Sequence, residues 1–104
     1  MLLIYTVPLG DVNPPVIINC PQPVSYTVLP PGHKSIRITW IEPTATDDSG
    51  ASPTVSQSHR PGDLFFVGST KVEYAFTDRE GNQARCSFII VIGKPLMVEC
   101  LVKM

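Results

Sequence analysis

Apolar and polar residues alternate in several short runs along this 104-residue chain, and turn residues separate the runs. In the clearest run, residues 35–40, the side chains of Ile36, Ile38 and Trp40 share one face of an extended strand. Further strands are predicted at 16–20, 24–28, 54–57, 64–66, 70–77 and 83–92. Proline, aspartate and glycine punctuate residues 42–53, which predicts a loop throughout. No stretch has helical periodicity, so the pattern predicts an all-β sandwich.

The last predicted strand is apolar on both faces over residues 88–92. Such a run needs a central position in a sheet or a covering segment, because an exposed edge this apolar aggregates. The predicted core is aromatic and contains Trp40, Tyr74, Phe76 and Phe88. We expect Trp40 to be among the most buried residues. We expect the hydroxyl of Tyr74 to reach a backbone group, because a buried tyrosine hydroxyl usually finds a hydrogen-bond partner.

Composition excludes several classes of function. The chain has 16% charged residues, 11 prolines and a formal net charge of −1, which suits one domain of strands and turns. Its arginines are scattered singly, so the basic footprint of a nucleic-acid-binding protein and the polybasic patch of a membrane-binding protein are both missing. No run approaches the ~20 apolar residues of a membrane span, so we expect no membrane insertion.

Three cysteines indicate an oxidising compartment. Their spacing does not form a C-x-x-C pair, and neither histidine supplies a matching ligand, so no metal site is predicted. Cys20 and Cys86 fall at matching points of a first and a last strand, and a sandwich commonly sets such strands side by side. A disulfide between them is one interpretation, and two buried free thiols are the other. Cys100 is then the odd thiol.

Acidic and amide residues gather in two predicted turns, where calcium binding competes with ordinary turn chemistry. The turn that contains Asp78, Gly81 and Asn82 has its glycine in the wrong place for an EF-type loop, which also needs a distal glutamate. Aspartate and asparagine bond to nearby backbone amides in turns, and glycine accepts positive φ. Turn chemistry therefore explains these residues, and no metal or other cofactor is predicted.

The chain carries no catalytic signature. His33 and His59 each adjoin turn residues, and no G-x-S-x-G motif, catalytic carboxylate pair or phosphate loop occurs. We therefore expect a protein that is not an enzyme and that has no catalytic residues.

In their order along the chain, the motifs resemble those of the hyalin repeat (HYR) domain. The family pattern opens with P-P-x-I-x-x-C-P, as at residues 14–21, and continues with W-x-x-P-x-A-x-D-x-S-G, as at residues 40–50. It then has P-G-x-x-F-x-x-G, as at 61–68, and V-x-Y-x-x-x-D-x-x-G-N-x-A-x-C-x-F, as at 72–88. Phe66 replaces a proline that many members have, which should alter only a local turn.

The resemblance implies an immunoglobulin-like sandwich, related to fibronectin type III, with a single disulfide between Cys20 and Cys86. A second cysteine pair that some members carry would fall near Gln57 and Tyr74 and is missing here. Such domains often neighbour sushi modules, and Cys100 looks like the first cysteine of a following module. A truncated isoform or a fragment would look the same.

These expectations divide the chain into an upstream stub or linker at 1–10, an HYR domain at 11–93, and a linker with the start of a further module at 94–104. The function implied is that of an extracellular adhesion or protein-interaction module within a longer secreted precursor, with extracellular or cell-surface proteins as partners. A structural spacer repeat without its own ligand is the first alternative, and a calcium-dependent adhesion domain is the second.

Overall fold

The computed structural model describes residues 13–95, and every regular element in that range is a β-strand. The eight strands are β1 Val16–Ile18, β2 Val24–Val28, β3 Ser35–Arg37, β4 Thr44–Thr46, β5 Thr54–Gln57, β6 Leu64–Phe66, β7 Gly68–Thr77 and β8 Gln83–Gly93. Across this range, no helix is long and apolar enough to cross a membrane. The all-β class predicted from the alternating pattern is confirmed.

One layer of the sandwich is a four-stranded sheet in the order β2-β8-β7-β5. The strands β7 and β8 form its centre as a long antiparallel hairpin, in register from Gly68 opposite Ile92 to Thr77 opposite Gln83. The strand β2 runs parallel to β8, while β5 runs antiparallel to β7. The apolar run at the end of β8 is therefore paired on both sides, so of the two arrangements predicted for it the structure shows the central position.

The other layer consists of two short antiparallel pairs, β1 with β4 and β3 with β6. The strand β4 corrects the prediction that residues 42–53 are loop throughout, because Thr44–Thr46 pairs in register with Val16–Ile18. Its side chains are β-branched or small, so three residues suffice for a ladder between flanking turn residues. The run predicted at 35–40 is shorter than expected, since the ladder of β3 ends at Arg37.

The core lies between the two layers. Its buried members come mainly from the inward faces of β7 and β8: Leu29, Phe65, Val72, Tyr74, Phe76, Cys86, Phe88, Ile90 and Ile92. From the other layer, partly buried hydrophobic side chains pack against this cluster: Ile17, Ile36, Ile38, Trp40 and Ala45. The fold is thus a two-layer sandwich with its best-packed face on the central hairpin.

Trp40 is less buried than its sequence pattern predicts. Its ring makes edge contacts with Phe65 and Phe88, at centroid distances of 6.1 and 5.3 Å, but the side chain stays partly exposed. The indole N–H needs a polar partner, and it finds one at the margin of the core, where it donates to Tyr74 Oη at 2.8 Å. That hydrogen bond holds the indole at the rim of the sandwich.

The disulfide between Cys20 and Cys86 is present, with a Cα–Cα distance of 5.8 Å, as predicted. Its setting differs from the prediction, because Cys20 lies beyond the end of β1, whose ladder partner is β4. Asn19 has a φ of 64°, a left-handed conformation that asparagine tolerates, and it turns the chain out of β1. The bridge therefore ties the β1–β2 connection to the buried centre of β8. Cys100 lies outside the described residues.

Candidate functional site

The edge strand β2 directs its apolar side chains away from the core. Val24 is in register with Ile89, and Tyr26 with Val91, on the neighbouring strand β8. Because side chains alternate along a strand and Ile90 points inward, these partners of β2 point outward. Tyr26 is consequently 78% exposed and Val28 60% exposed.

We name this surface the β2 outer face and define it by four residues: Val24, Tyr26, Val28 and Ile89. Exposed apolar residues that occur singly are normal, whereas contiguous apolar patches larger than a few hundred Å² are typical of interaction surfaces. A tyrosine buries roughly 150–250 Å² in a core, so the 78% exposed ring of Tyr26 alone contributes on the order of 150 Å² of accessible surface. On the β7 side, an ion pair between Lys71 and Glu73 at 3.3 Å bounds the patch.

The inward face of β2 is polar, which is the reverse of the usual arrangement. Ser25 and Thr27 are in register with the buried residues Ile90 and Ile92 of β8. Ser25 is nevertheless exposed, so the second layer of the sandwich does not cover this edge of the sheet. Where no second layer covers the sheet, an alternating strand would bury little additional apolar surface by turning its apolar side inward. The sequence pattern indicated the two faces of β2, but not which of them points outward.

A second feature is a carboxylate fixed at the rim of the core. Glu42 Oε2 accepts hydrogen bonds from Tyr74 Oη at 2.8 Å and from Gln57 Nε2 at 2.9 Å. The Tyr74 hydroxyl in turn accepts the indole N–H of Trp40. We name these four residues the Tyr74 network. The partner of the Tyr74 hydroxyl is thus a side-chain carboxylate, and the prediction of a backbone partner is wrong.

The network perturbs both of its ionisable groups. The hydrogen bond from Gln57, followed by that from Tyr74, lowers the pKa of Glu42 below its usual value. Burial, opposed in part by the hydrogen bond from Trp40, raises the pKa of Tyr74 to about 12. At neutral pH the network therefore holds one ionised carboxylate and one neutral phenol, and this is the state that its hydrogen bonds favour.

A cavity of about 300 Å³ adjoins the Tyr74 network, with Pro43, Pro53 and Val55 among its apolar walls. The exposed carboxylate of Glu42 sits at its margin. The arrangement places one fixed negative charge beside apolar surface. Neither imidazole belongs to the network: the Nδ1 atom of His33 contacts Pro31 O at 3.3 Å, and that of His59 contacts Ser58 Oγ at 2.7 Å. The backbone carbonyl of His59 accepts a hydrogen bond from Gln57 Nε2 at 2.9 Å.

The tertiary structure brings three acidic residues of the two sequence-predicted turns together. Ligand atoms of Asp47, Asp78 and Glu80 lie within 4.8 Å of one another. Asp78 Oδ1 accepts the backbone N–H groups of Glu80 and Asn82, at 3.0 and 2.8 Å, as turn chemistry predicts. Asp47 Oδ2 is held by Ser49, while Asp47 Oδ1 is buried without a partner among residues 13–95. Turn hydrogen bonds thus account for both oxygens of Asp78 and for one oxygen of Asp47, and the absence of a metal stays a prediction.

The family model of the HYR domain matches residues 10–92, most of the chain. The chain belongs to the HYR domain family. This agrees with the resemblance seen in its ordered motifs and with the single disulfide inside a sandwich. Within that range lie both the β2 outer face and the Tyr74 network.

Two curated relatives contain a segment similar to this chain within much longer proteins. The chain is 40% identical to hyalin from Strongylocentrotus purpuratus over 96 residues, which cover 86% of this chain and 8% of that protein. It is 43% identical over 89 residues to the sushi, von Willebrand factor type A, EGF and pentraxin domain-containing protein 1 of Rattus norvegicus, covering 85% of this chain and 2% of that protein. No solved structure matches the chain.

Proposed function

We propose that this HYR domain is a non-enzymatic adhesion or protein-interaction module of a larger secreted protein, and that it binds other extracellular proteins through the β2 outer face. The observation that carries the proposal is the outward apolar side of β2, with Tyr26 78% exposed at its centre. An apolar sheet face is costly to leave in water and gives binding energy when a partner covers it. A domain that served only as a spacer would have no use for such a surface.

The setting supports an extracellular role. The disulfide joins an exposed cysteine to one that is 2% exposed, so its formation locks the edge of the sandwich to the core in an oxidising compartment. Relatives that match over most of this domain are many times longer than it, which suits one module among several. The name of the rat relative includes other domain types, such as sushi and EGF.

Bead adhesion under flow tests the proposal. Beads that carry the domain are washed over a layer of secreted matrix proteins, and beads that carry Tyr26→Lys and Phe66→Lys variants are compared with them. Phe66 is 60% exposed on β6, in the opposite layer of the sandwich, so it matches the aromatic-to-lysine change without touching the β2 outer face.

The proposal expects the wild-type and Phe66→Lys beads to adhere and the Tyr26→Lys beads to detach. Equal detachment of all three would leave the domain as a spacer. Equal adhesion of all three would move the binding surface away from β2.

A further inference from the structure

We propose that the partner of strand β2 is β2 of a second copy of this chain, paired antiparallel across a two-fold axis that passes through Tyr26. The inference rests on the proposed function, because the side chains that would meet across the paired β2 edges, above all Tyr26, belong to the β2 outer face.

The sequence of β2 is self-complementary. Val24–Val28 reads Val-Ser-Tyr-Thr-Val, which has the same order of residue types in either direction. An antiparallel pair centred on Tyr26 therefore sets Val24 opposite Val28 of the second copy, and Ser25 opposite Thr27. Valine pairs, hydroxyl pairs and aromatic pairs are all favourable across antiparallel strands. A two-fold interface requires this kind of self-matching surface.

The free backbone groups of β2 match the same register. Pro23 O accepts the N–H of Ile89, and the N–H of Leu29 donates to Gly93 O, so these odd-numbered residues face β8. Because backbone groups alternate sides along a strand, Val24, Tyr26 and Val28 direct theirs to the open edge. Among residues 13–95, β2 pairs with β8 alone. In the two-fold register these three residues meet one another as hydrogen-bonded pairs, which completes the ladder on both copies.

Charge also favours a second copy over a charged partner. From residue 12 to residue 32 the sequence contains no Lys, Arg, Asp or Glu. Natural edge strands commonly carry a lysine, an inward charge or a proline that blocks pairing, and β2 has none of these within its five residues. Two copies can therefore approach along this edge without like-charge repulsion.

The two-fold symmetry limits the contact to one dimer. Pro30, which follows Leu29, limits its length, because a proline cannot donate a hydrogen bond to a ladder. The two-fold pairing uses the β2 edge of both copies at once, so no second β2 edge is left to recruit a third copy. Five residues per copy form a small contact, which belongs with the weak and transient interfaces that bury less than about 1,200 Å².

The test measures self-association by sedimentation equilibrium, with Cys100→Ser in every protein so that thiol chemistry does not contribute. We expect a reversible monomer–dimer equilibrium at concentrations up to about 1 mM, the range of such small contacts. Tyr26→Lys should weaken dimerisation at least about tenfold, because two lysines then lie directly opposite each other. Phe66→Lys is the matched control and should associate like its parent.

A charge-swap mixture fixes the register. Tyr26→Lys and Tyr26→Glu should each be monomeric alone and form a heterodimer when mixed, since only a contact centred on residue 26 places these two side chains together. Amide exchange at Val24, Tyr26 and Val28 should slow as the concentration of the parent protein rises.

A parent protein that stays monomeric at about 1 mM overturns the inference, because the β2 edge then does not pair with a second copy. Dimerisation that survives Tyr26→Lys also overturns it. Failure here is separable from failure of the proposed function: monomeric domains whose beads still adhere to the matrix layer through Tyr26 bind a different protein at the same surface.

Discussion

Removal of one hydroxyl group, by Tyr74→Phe, tests whether the Tyr74 network holds the rim of the sandwich together. Tyr74 is 1% exposed, and its hydroxyl both accepts from Trp40 Nε1 and donates to Glu42 Oε2, each at 2.8 Å. The substitution preserves the ring and its stacking on Phe76, whose centroid lies 6.3 Å away. It therefore isolates the hydrogen bonds from the packing.

The expected cost of Tyr74→Phe is about 1–3 kcal/mol, because a partly buried indole N–H loses its acceptor and a charged carboxylate loses a donor. For a domain of this size, each kcal/mol lowers Tm by roughly 4–8 °C. Thermal unfolding followed by circular dichroism measures the loss. Tyr26→Phe is the matched control, since it makes the same change on an exposed ring outside the network, and it should leave Tm unchanged.

Alkaline pH gives an independent readout of the same network. The folded pKa of Tyr74, about 12, lies above the ordinary value of 10. The unfolded chain therefore releases this proton first, so the contribution of Tyr74 to stability is complete below pH 10 and is lost as the pH rises toward 12. The Phe variant lacks this loss. Its stability should thus fall less steeply between pH 10 and 12 than that of the wild-type protein.

A double-mutant cycle with Trp40→Phe separates the hydrogen bond from other effects. The two substitutions together should cost less than the sum of their separate costs, because either one alone already breaks the bond between Trp40 and Tyr74. Tyr74→Phe with wild-type Tm and an unchanged alkaline profile would refute the reasoning, as would strict additivity in the cycle.

Four further predictions concern the disulfide, the indole, the odd thiol and calcium. Non-reducing peptide mapping should recover the peptide that links Cys20 to Cys86, and replacing both with serine should cost about 2–5 kcal/mol in denaturant unfolding; a link from either cysteine to Cys100 would contradict the assignment. Trp40→Ala should cost about 3 kcal/mol in the same assay, the low end for an aromatic truncation because the side chain is only partly buried; a loss below about 1 kcal/mol would show that the edge contacts contribute little. Cys100→Ser should remove any reductant-reversible dimer on non-reducing gels without changing the circular dichroism spectrum, and persistence of that dimer would implicate a different cysteine. Millimolar calcium should leave Tm unchanged, and a calcium-dependent rise in Tm would instead assign the ion to the three clustered carboxylates.

The sequence predicted the strand pattern of β2 in the candidate site, but not which residues the site brings into contact. The alternation of Val24, Tyr26 and Val28 predicts a strand with one apolar face, and the usual expectation is that this face turns inward. Whether it does so depends on what lies above that edge of the sheet, and this is a property of the second layer. Glu42 carries no local signal at all, because its partners Gln57 and Tyr74 lie 15 and 32 residues away in the sequence.

Local patterns by themselves determined the all-β class and the apolar character of the end of β8, because alternation, apolar content and turn residues act over a few neighbours. They left open whether that run is central or covered and whether Cys20 and Cys86, 66 residues apart, are bridged. Only the tertiary structure decided that Thr44–Thr46 forms a strand, since its ladder partner Val16–Ile18 lies far away in sequence. The same holds for the rim position of Trp40 and for the outward face of β2. Each depends on which distant element supplies a hydrogen-bond partner or a covering layer, and a sequence window contains neither.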